Sequence, residues 1–274
     1  LKKIDLLIFD IQDVGVRCYT YISTLHHVLE ACAENGVEVL VLDRPNPNGF
    51  YVDGPMLKDG FESFVGMHPV PLIHGLTIGE YAQMIVGEAW IESAEKCVLS
   101  VVTCAGYSHS SIYELPVRPS PNLPNASSIY LYPSLVLFEG TSVSVGRGTD
   151  KPFQVVGHPD FTSGTYSFTP APNLGAKYPK LEGKECKGMD LSRYGEFYSR
   201  QSSQMSLQWL LEFYKEMPDK DNFFLENGFF NTLAGSDELM TQIKNGMSEK
   251  EIRASWQEGL DEFKQRRAKY LLYE

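Results

Sequence analysis

The sequence has no surplus of positive charge: 24 Lys and Arg stand against 35 Asp and Glu, a formal net charge of −11. With no basic excess to displace counterions, non-specific attraction to nucleic acid or to an anionic membrane is disfavoured. No apolar run reaches transmembrane length. No signal-peptide pattern is visible either, although the chain opens on LKKIDLLIFD, without an initiator Met and with a strand almost at once. That opening reads as a fragment whose first part is missing. Cysteine is sparse and scattered. Cys18, Cys32, Cys97, Cys104 and Cys186 are odd in number and form no motif, which argues for free thiols and against a disulfide framework. The six histidines, at 26, 27, 68, 74, 109 and 158, contain no HExxH and do not join cysteines at zinc spacing. There is no Walker A loop, no GxGxxG, no internal repeat and no low-complexity tract. Neither a cofactor nor a metal is expected.

What is present is apolar and aromatic. A 43% hydrophobic fraction with 15 Tyr and 15 Phe excludes disorder. At 274 residues the chain can bury a sizeable core and form two subdomains. Leu6–Ile11 is an apolar run that reads as a parallel strand buried on both faces. Residues 20–35 carry helical spacing at Leu25, Val28, Leu29 and Cys32, and Gly36 is a C-cap signal. Val37–Asp43 is a second strand, so the opening is a βαβ unit with a right-handed crossover. Thr77 and Glu80 form a capping box ahead of TIGEYAQMIVGEAW, and Val98–Val102 is a third strand. The four prolines of PVRPSPNLPNA, residues 116–126, predict an extended connection. Residues 134–153 read as the seam, which predicts an α/β unit over 1–150 and a smaller one over 151–274. Short strands occupy 155–190 and helices follow 206, the last opened by the Ser248/Glu251 capping box.

In open α/β sheets ligands bind beyond the carboxyl ends of the strands. Four polar blocks fall there or beside such ends. In DIQDVGVRCYTY, Asp10 and Asp13 offer paired carboxyls, one of which can hold a proton. Arg17 can grip an anion or pair with them, and Tyr19 and Tyr21 suit a sugar. In LDRPNPNG, Asp43, Arg44 and Asn46 sit on a proline-stiffened loop. In LIHGLTIGE, His74 precedes a helix start and offers an acid/base group. In FEGTSVSVGRGTD, Glu139 follows an apolar run that predicts partial desolvation and a raised pKa. Arg147 and Asp150 belong to GRGTD, which resembles an anion nest. The plain alternatives are loop-fixing hydrogen bonds, a self-bonded turn and a Glu139–Arg147 ion pair. A Mg²⁺ site on Asp10 and Asp13 lacks the further groups that phosphoryl transfer needs.

Taken together, FDIQDVGVRCYTYISTL, VLDRPNPNG, HGLTIGEYA, YPSLVLFEGTSVSVGRGTDKPF and EIRASWQEGLDEFKQRRAKYLLY resemble the DUF1343 family, associated with exo-acting β-N-acetylmuramidases. The blocks span nearly the whole chain. The resemblance implies a Rossmann-like, mostly parallel domain followed by a smaller α/β domain, with the active cleft between them. It implies hydrolysis of the β-1,4 bond after a non-reducing-end N-acetylmuramic acid in peptidoglycan fragments, without a cofactor. The partners would be muropeptides or saccharides of the MurNAc-GlcNAc type, and many relatives are exported, which points to the periplasm or the cell exterior. Asp10, Asp13 and Glu139 become the catalytic candidates. An arginine (Arg17, Arg44 or Arg147) would take the lactyl carboxylate, and Tyr19 and Tyr21 the ring. Family members also carry a PEHG-type segment ahead of FDIQDVG whose glutamate is the favoured acid, and these 274 residues hold no such segment. A non-catalytic muropeptide- or amino-sugar-binding protein is the competing reading.

Overall fold

The structure is a computed structural model that describes residue 1, residues 3–197 and residues 199–274. In chain order the first half comprises β1 (Leu6–Phe9), α1 (Tyr21–Asn35), β2 (Glu38–Leu42), β3 (Asp53–Met56), β4 (Pro71–Ile73), α2 (Ile78–Gly87), β5 (Leu99–Val102) and α3 (Ala126–Leu135). Strands β1, β2 and β5 form a parallel sheet in that order, with Leu6 opposite Glu38 and Leu40 opposite Ser100. β3 and β4 pair antiparallel. The second half carries β6 (Val155–His158), β7 (Tyr166–Phe168) and β8 (Cys186–Asp190), antiparallel in the order β6-β8-β7, and then helices ending with Glu249–Arg267. The chain is thus two α/β subdomains with parallel and antiparallel sheets. Among the described residues, no helix is long and apolar enough to cross a membrane.

Local sequence accounts for the elements. α1 buries Ile22, Leu25, Leu29 and Cys32 on one face and stops at Gly36, whose φ of 66° returns its N–H to the Cys32 carbonyl. A Cβ at that φ would be strained, so glycine ends the helix. Both expected capping boxes are formed, Thr77 with Glu80 and Ser248 with Glu251. A third, Asn125 with Ser128, opens α3 directly after the extended proline segment.

The parallel sheet departs from expectation. Phe9, Val39 and Val41 pack against α1 and α2, but Leu6 and Ile8 are 45% and 55% exposed. Side chains alternate between faces with period two. β1 therefore has one buried face rather than two. Val98 and Val102 are exposed as well.

Two contacts cross the molecule. A second apolar core runs from Val14 and Val16 through α3 to Phe213, Phe230 and Trp256. The C-terminal residues fold back over the first subdomain: the Leu272 N–H donates to Glu80 Oε1 (2.9 Å), the Tyr273 hydroxyl to Asp43 Oδ2 (2.6 Å), and the His109 N–H to the Glu274 carbonyl (2.9 Å).

Candidate active site

A two-lobed cleft follows β1. One lobe, of about 290 Å³, is lined by Tyr19, Tyr21, residues 119–123, Tyr132, Arg147 and Phe153. The other, of about 330 Å³, is lined by Asp10, Gln12, Arg44 and residues 116–119. The lobes meet at Tyr21 and Pro119, which border both. The proline segment is held as a wall because the Tyr19 hydroxyl donates to the Pro119 carbonyl (2.8 Å). Tyr19 stands edge-on to Tyr21 (5.2 Å between ring centres) and to Tyr132 (6.0 Å). The floor is therefore aromatic, with one hydroxyl already engaged.

Arg147 lines the first lobe. Its Nε and Nη2 donate to Glu139 Oε1 and Oε2 at 2.6 and 2.7 Å, a bidentate fork, and its guanidinium lies 4.9 Å from the centre of the Phe153 ring. Phe153 holds a φ of 53°, uncommon for an aromatic residue. Glu139 does not end a strand. It lies in a 3₁₀ turn, Val136–Gly140, that continues α3, because Pro133 and the following apolar residues favour a tightened helix end over a sheet edge. Beneath this turn Lys180 donates from Nζ to the carbonyls of Phe138 (3.1 Å), Glu139 (3.3 Å), Val143 (3.1 Å) and Thr141. Burial lowers its pKa to about 8, opposed by the nearby Glu139. GRGTD is a closed turn. The Gly146 carbonyl accepts from the Thr149 N–H and hydroxyl, and Asp150 is exposed and borders neither lobe.

The two N-terminal aspartates have opposite environments. Asp10 is exposed in the second lobe and accepts from Arg44 Nε (2.7 Å) and Nη2 (2.6 Å). Asp13 is buried. Its Oδ2 accepts from the Gly15 N–H (2.6 Å), while Oδ1 has no hydrogen-bond partner among the described residues. Burial outweighs the backbone hydrogen bonds and raises its pKa to about 7, so it holds a proton into the neutral range. Asp10 and Asp13 join no group of three donors suited to a metal among the described residues.

Four expected ligand groups point inward instead. Arg17 is fully buried and donates to the carbonyls of Pro55, Val70 and Leu233, so its fork ties three segments together. Asp43 accepts from the Thr77 and Tyr273 hydroxyls and from the Gly79 and Arg44 N–H groups, which fills its oxygens. Burial, the leading cause, raises its pKa despite those donors. Asn46 donates to the Leu76 carbonyl and accepts from the Asn48 N–H. Gly15 must lack a side chain here, since a Cβ would fall 2.3 Å from the Asn46 amide, and its φ is 75°. His74 is buried, accepts from the Leu76 N–H and is pushed down to about 3, first by burial and then by Arg267 and Arg17. A group in that state neither donates protons near neutrality nor meets a ligand. Conversely, Tyr132, Phe153, Pro119 and Arg118 line the cleft without having been singled out, and Lys180 holds the turn that carries Glu139. The prolines of 116–126 carried the one usable signal, a stiff wall.

Residues 1–127 match the family described as exo-β-N-acetylmuramidase NamZ, N-terminal, and residues 130–273 match its C-terminal counterpart. The peptidoglycan β-N-acetylmuramidase NamZ of Bacillus subtilis (strain 168) is 38% identical over 297 residues, covering 100% of this chain and 68% of that protein. Two crystal structures of DUF1343 family proteins from Bacteroides fragilis NCTC 9343 are also similar. One superposes with a TM-score of 0.95 at 47% identity, the other with 0.81 at 28%, each covering 100% of this chain and 76% of the other.

Proposed function

Because the chain belongs to the DUF1343 family of exo-β-N-acetylmuramidases, we infer that it is an exo-acting glycoside hydrolase that releases non-reducing-end N-acetylmuramic acid from peptidoglycan fragments. The observation that carries the reading is the cleft itself, an aromatic floor of Tyr19, Tyr21 and Tyr132 that ends at one side in the Glu139–Arg147 fork and at the other in Asp10. Aromatic rings set edge-on to one another offer hydrophobic surface to the apolar face of a sugar. We read the first unit as Rossmann-like, the unit boundary near residue 150, and the cleft between the units as the active site. Since the substrate is cell-wall material, the proposed place of action is periplasmic or extracellular.

Glycoside hydrolysis generally pairs one protonated carboxyl with one ionised carboxylate. The protonated group gives its proton to the leaving oxygen, and water supplies hydroxyl to the anomeric carbon and the proton that restores the acid. In this reading Asp10, paired with Arg44, is the carboxylate with direct access to the substrate. Asp13 is buried, borders neither lobe and is bound by the Gly15 N–H, so it steadies the loop after Asp10, and the proton must come from a group that reaches the cleft. Glu139 sets the plane of Arg147. The acetamido group can itself assist, in which case Asp10 orients it. Arg44 and Arg118 in the second lobe are the cations free of Glu139, and we assign the lactyl carboxylate to them.

The test is incubation of the chain with a defined MurNAc-GlcNAc disaccharide, with products read by mass and anomeric configuration. Release of both monosaccharides by the chain, with loss in Asp10→Asn, supports the assignment. Saturable binding without cleavage would instead favour an amino-sugar-binding module, and full turnover by Asp10→Asn would remove Asp10 from the chemistry.

A further inference from the structure

We propose that His26, His27 and Glu30 on α1 bind a divalent transition-metal ion, with Zn²⁺ as the natural probe. Their donor atoms lie within 4.8 Å of one another. Glu30 Oε1 is 3.9 Å from His26 Nε2, and its Oε2 is 3.8 Å from His27 Nδ1. Both separations are too long for hydrogen bonds, so neither imidazole uses up the carboxylate. Ligand atoms held at about 2.0–2.2 Å from a tetrahedral zinc lie roughly 3.5 Å from each other. The observed set needs only a contraction of about 1 Å, by rotation of His27 and Glu30, whose side chains are 55% and 28% exposed.

His26 is the fixed ligand. Its side chain is 10% exposed, and its Nδ1 lies 2.9 Å from His68 Nε2. A metal on Nε2 requires the proton on Nδ1, and there the acceptor is already in place. His68 is itself held in place, since its Nδ1 lies 3.0 Å from the Tyr81 hydroxyl and its ring stacks on Trp90. An outer partner that fixes tautomer and ring plane is what metal-binding histidines normally possess. The Glu92 N–H, 3.4 Å from Glu30 Oε1, holds the carboxylate from the far side.

Two imidazoles and one carboxylate supply three ligands, and water completes the tetrahedron. The sequence HHVLE matches no common zinc spacing, because adjacent histidines diverge by 100° around a helix and only Glu30, one turn on, spans both. The site does not depend on the muramidase reading. It lies about 7.5 Å along α1 from Tyr21, and its function would be to brace the helix whose first residue borders the cleft.

The experiment is isothermal titration of the metal-free chain with ZnCl₂, beside thermal melts with and without Zn²⁺. The expected result is one ion per chain, a rise in Tm on loading, and affinity reduced by about tenfold or more in each of His27→Ala and Glu30→Gln. Both substitutions are at partly exposed positions and leave the core intact. Absorption spectroscopy at the zinc edge should report two imidazoles and one carboxylate. No saturable binding, or binding that neither substitution weakens, would overturn the proposal.

Discussion

Arg147 and Glu139 face each other edge to edge, two donors on two oxygens at 2.6 and 2.7 Å, and the same guanidinium lies over the Phe153 ring. The plane of the arginine is thereby fixed from two directions at the wall of the cleft. A lysine can keep the charge but neither the fork nor the stacking. Arg147→Lys should lower kcat/KM on the disaccharide by about tenfold or more, the equivalent of roughly 1.4 kcal/mol. Steady-state kinetics beside a melt would separate this from unfolding, since the thermal midpoint should move little.

Asp13 gives a pH signature. In the folded chain it holds its proton up to about pH 7, whereas an unfolded aspartate ionises near pH 4. Between those values the native state binds the extra proton, so this group's contribution to stability is fully present below about pH 4 and is lost as pH rises through about 7. The loss is on the order of 4 kcal/mol. Asp13→Asn should be nearly neutral at about pH 4 and stabilising at about pH 8. Urea midpoints of both proteins across that range would show it, and a difference that does not change with pH would contradict it.

Lys180 holds the turn that carries Glu139. Lys180→Met should leave the Phe138, Thr141 and Val143 carbonyls without their donor. The expected cost is about 3 kcal/mol or more, visible in denaturant unfolding. Turnover should fall further than stability alone explains, because Glu139 and Arg147 lose their support.

Tyr273 and Asp43 are 230 positions apart and hydrogen-bonded at 2.6 Å. Tyr273→Phe removes one donor from a buried carboxylate and should cost about 1–3 kcal/mol. Hydrogen exchange should quicken at the Thr77–Gly79 helix start, which shares the same carboxylate.

Much of the fold was legible in the sequence because its signals are local. Capping boxes at Thr77 and Ser248, the glycine stop after α1, and the apolar runs of β1, β2 and β5 all act within a few residues. What failed to show was direction. Asp43 ends a strand and looks available, yet its partners include a tyrosine from the far end of the chain. Arg17 sits in the most suggestive motif and is consumed by the carbonyls of Pro55, Val70 and Leu233. Neither outcome can be read from neighbours in sequence, because both depend on segments that the tertiary fold brings in. Tyr19, Tyr21 and Arg147, singled out from their motifs, line the first lobe, and the Glu139–Arg147 ion pair is the plain alternative that the sequence also offered. Tyr132 was not singled out, as it lies on α3 among residues that are buried almost throughout.

Lys180 has one consequence beyond its hydrogen bonds. A ring of backbone carbonyls of this kind could be filled by a free monovalent ion, and its order would then follow the ion's concentration outside the protein. Here the cation is tethered to the chain, so its effective concentration is set by covalent geometry and does not fall on dilution. The turn bearing Glu139 is therefore insulated from the ionic composition of its surroundings.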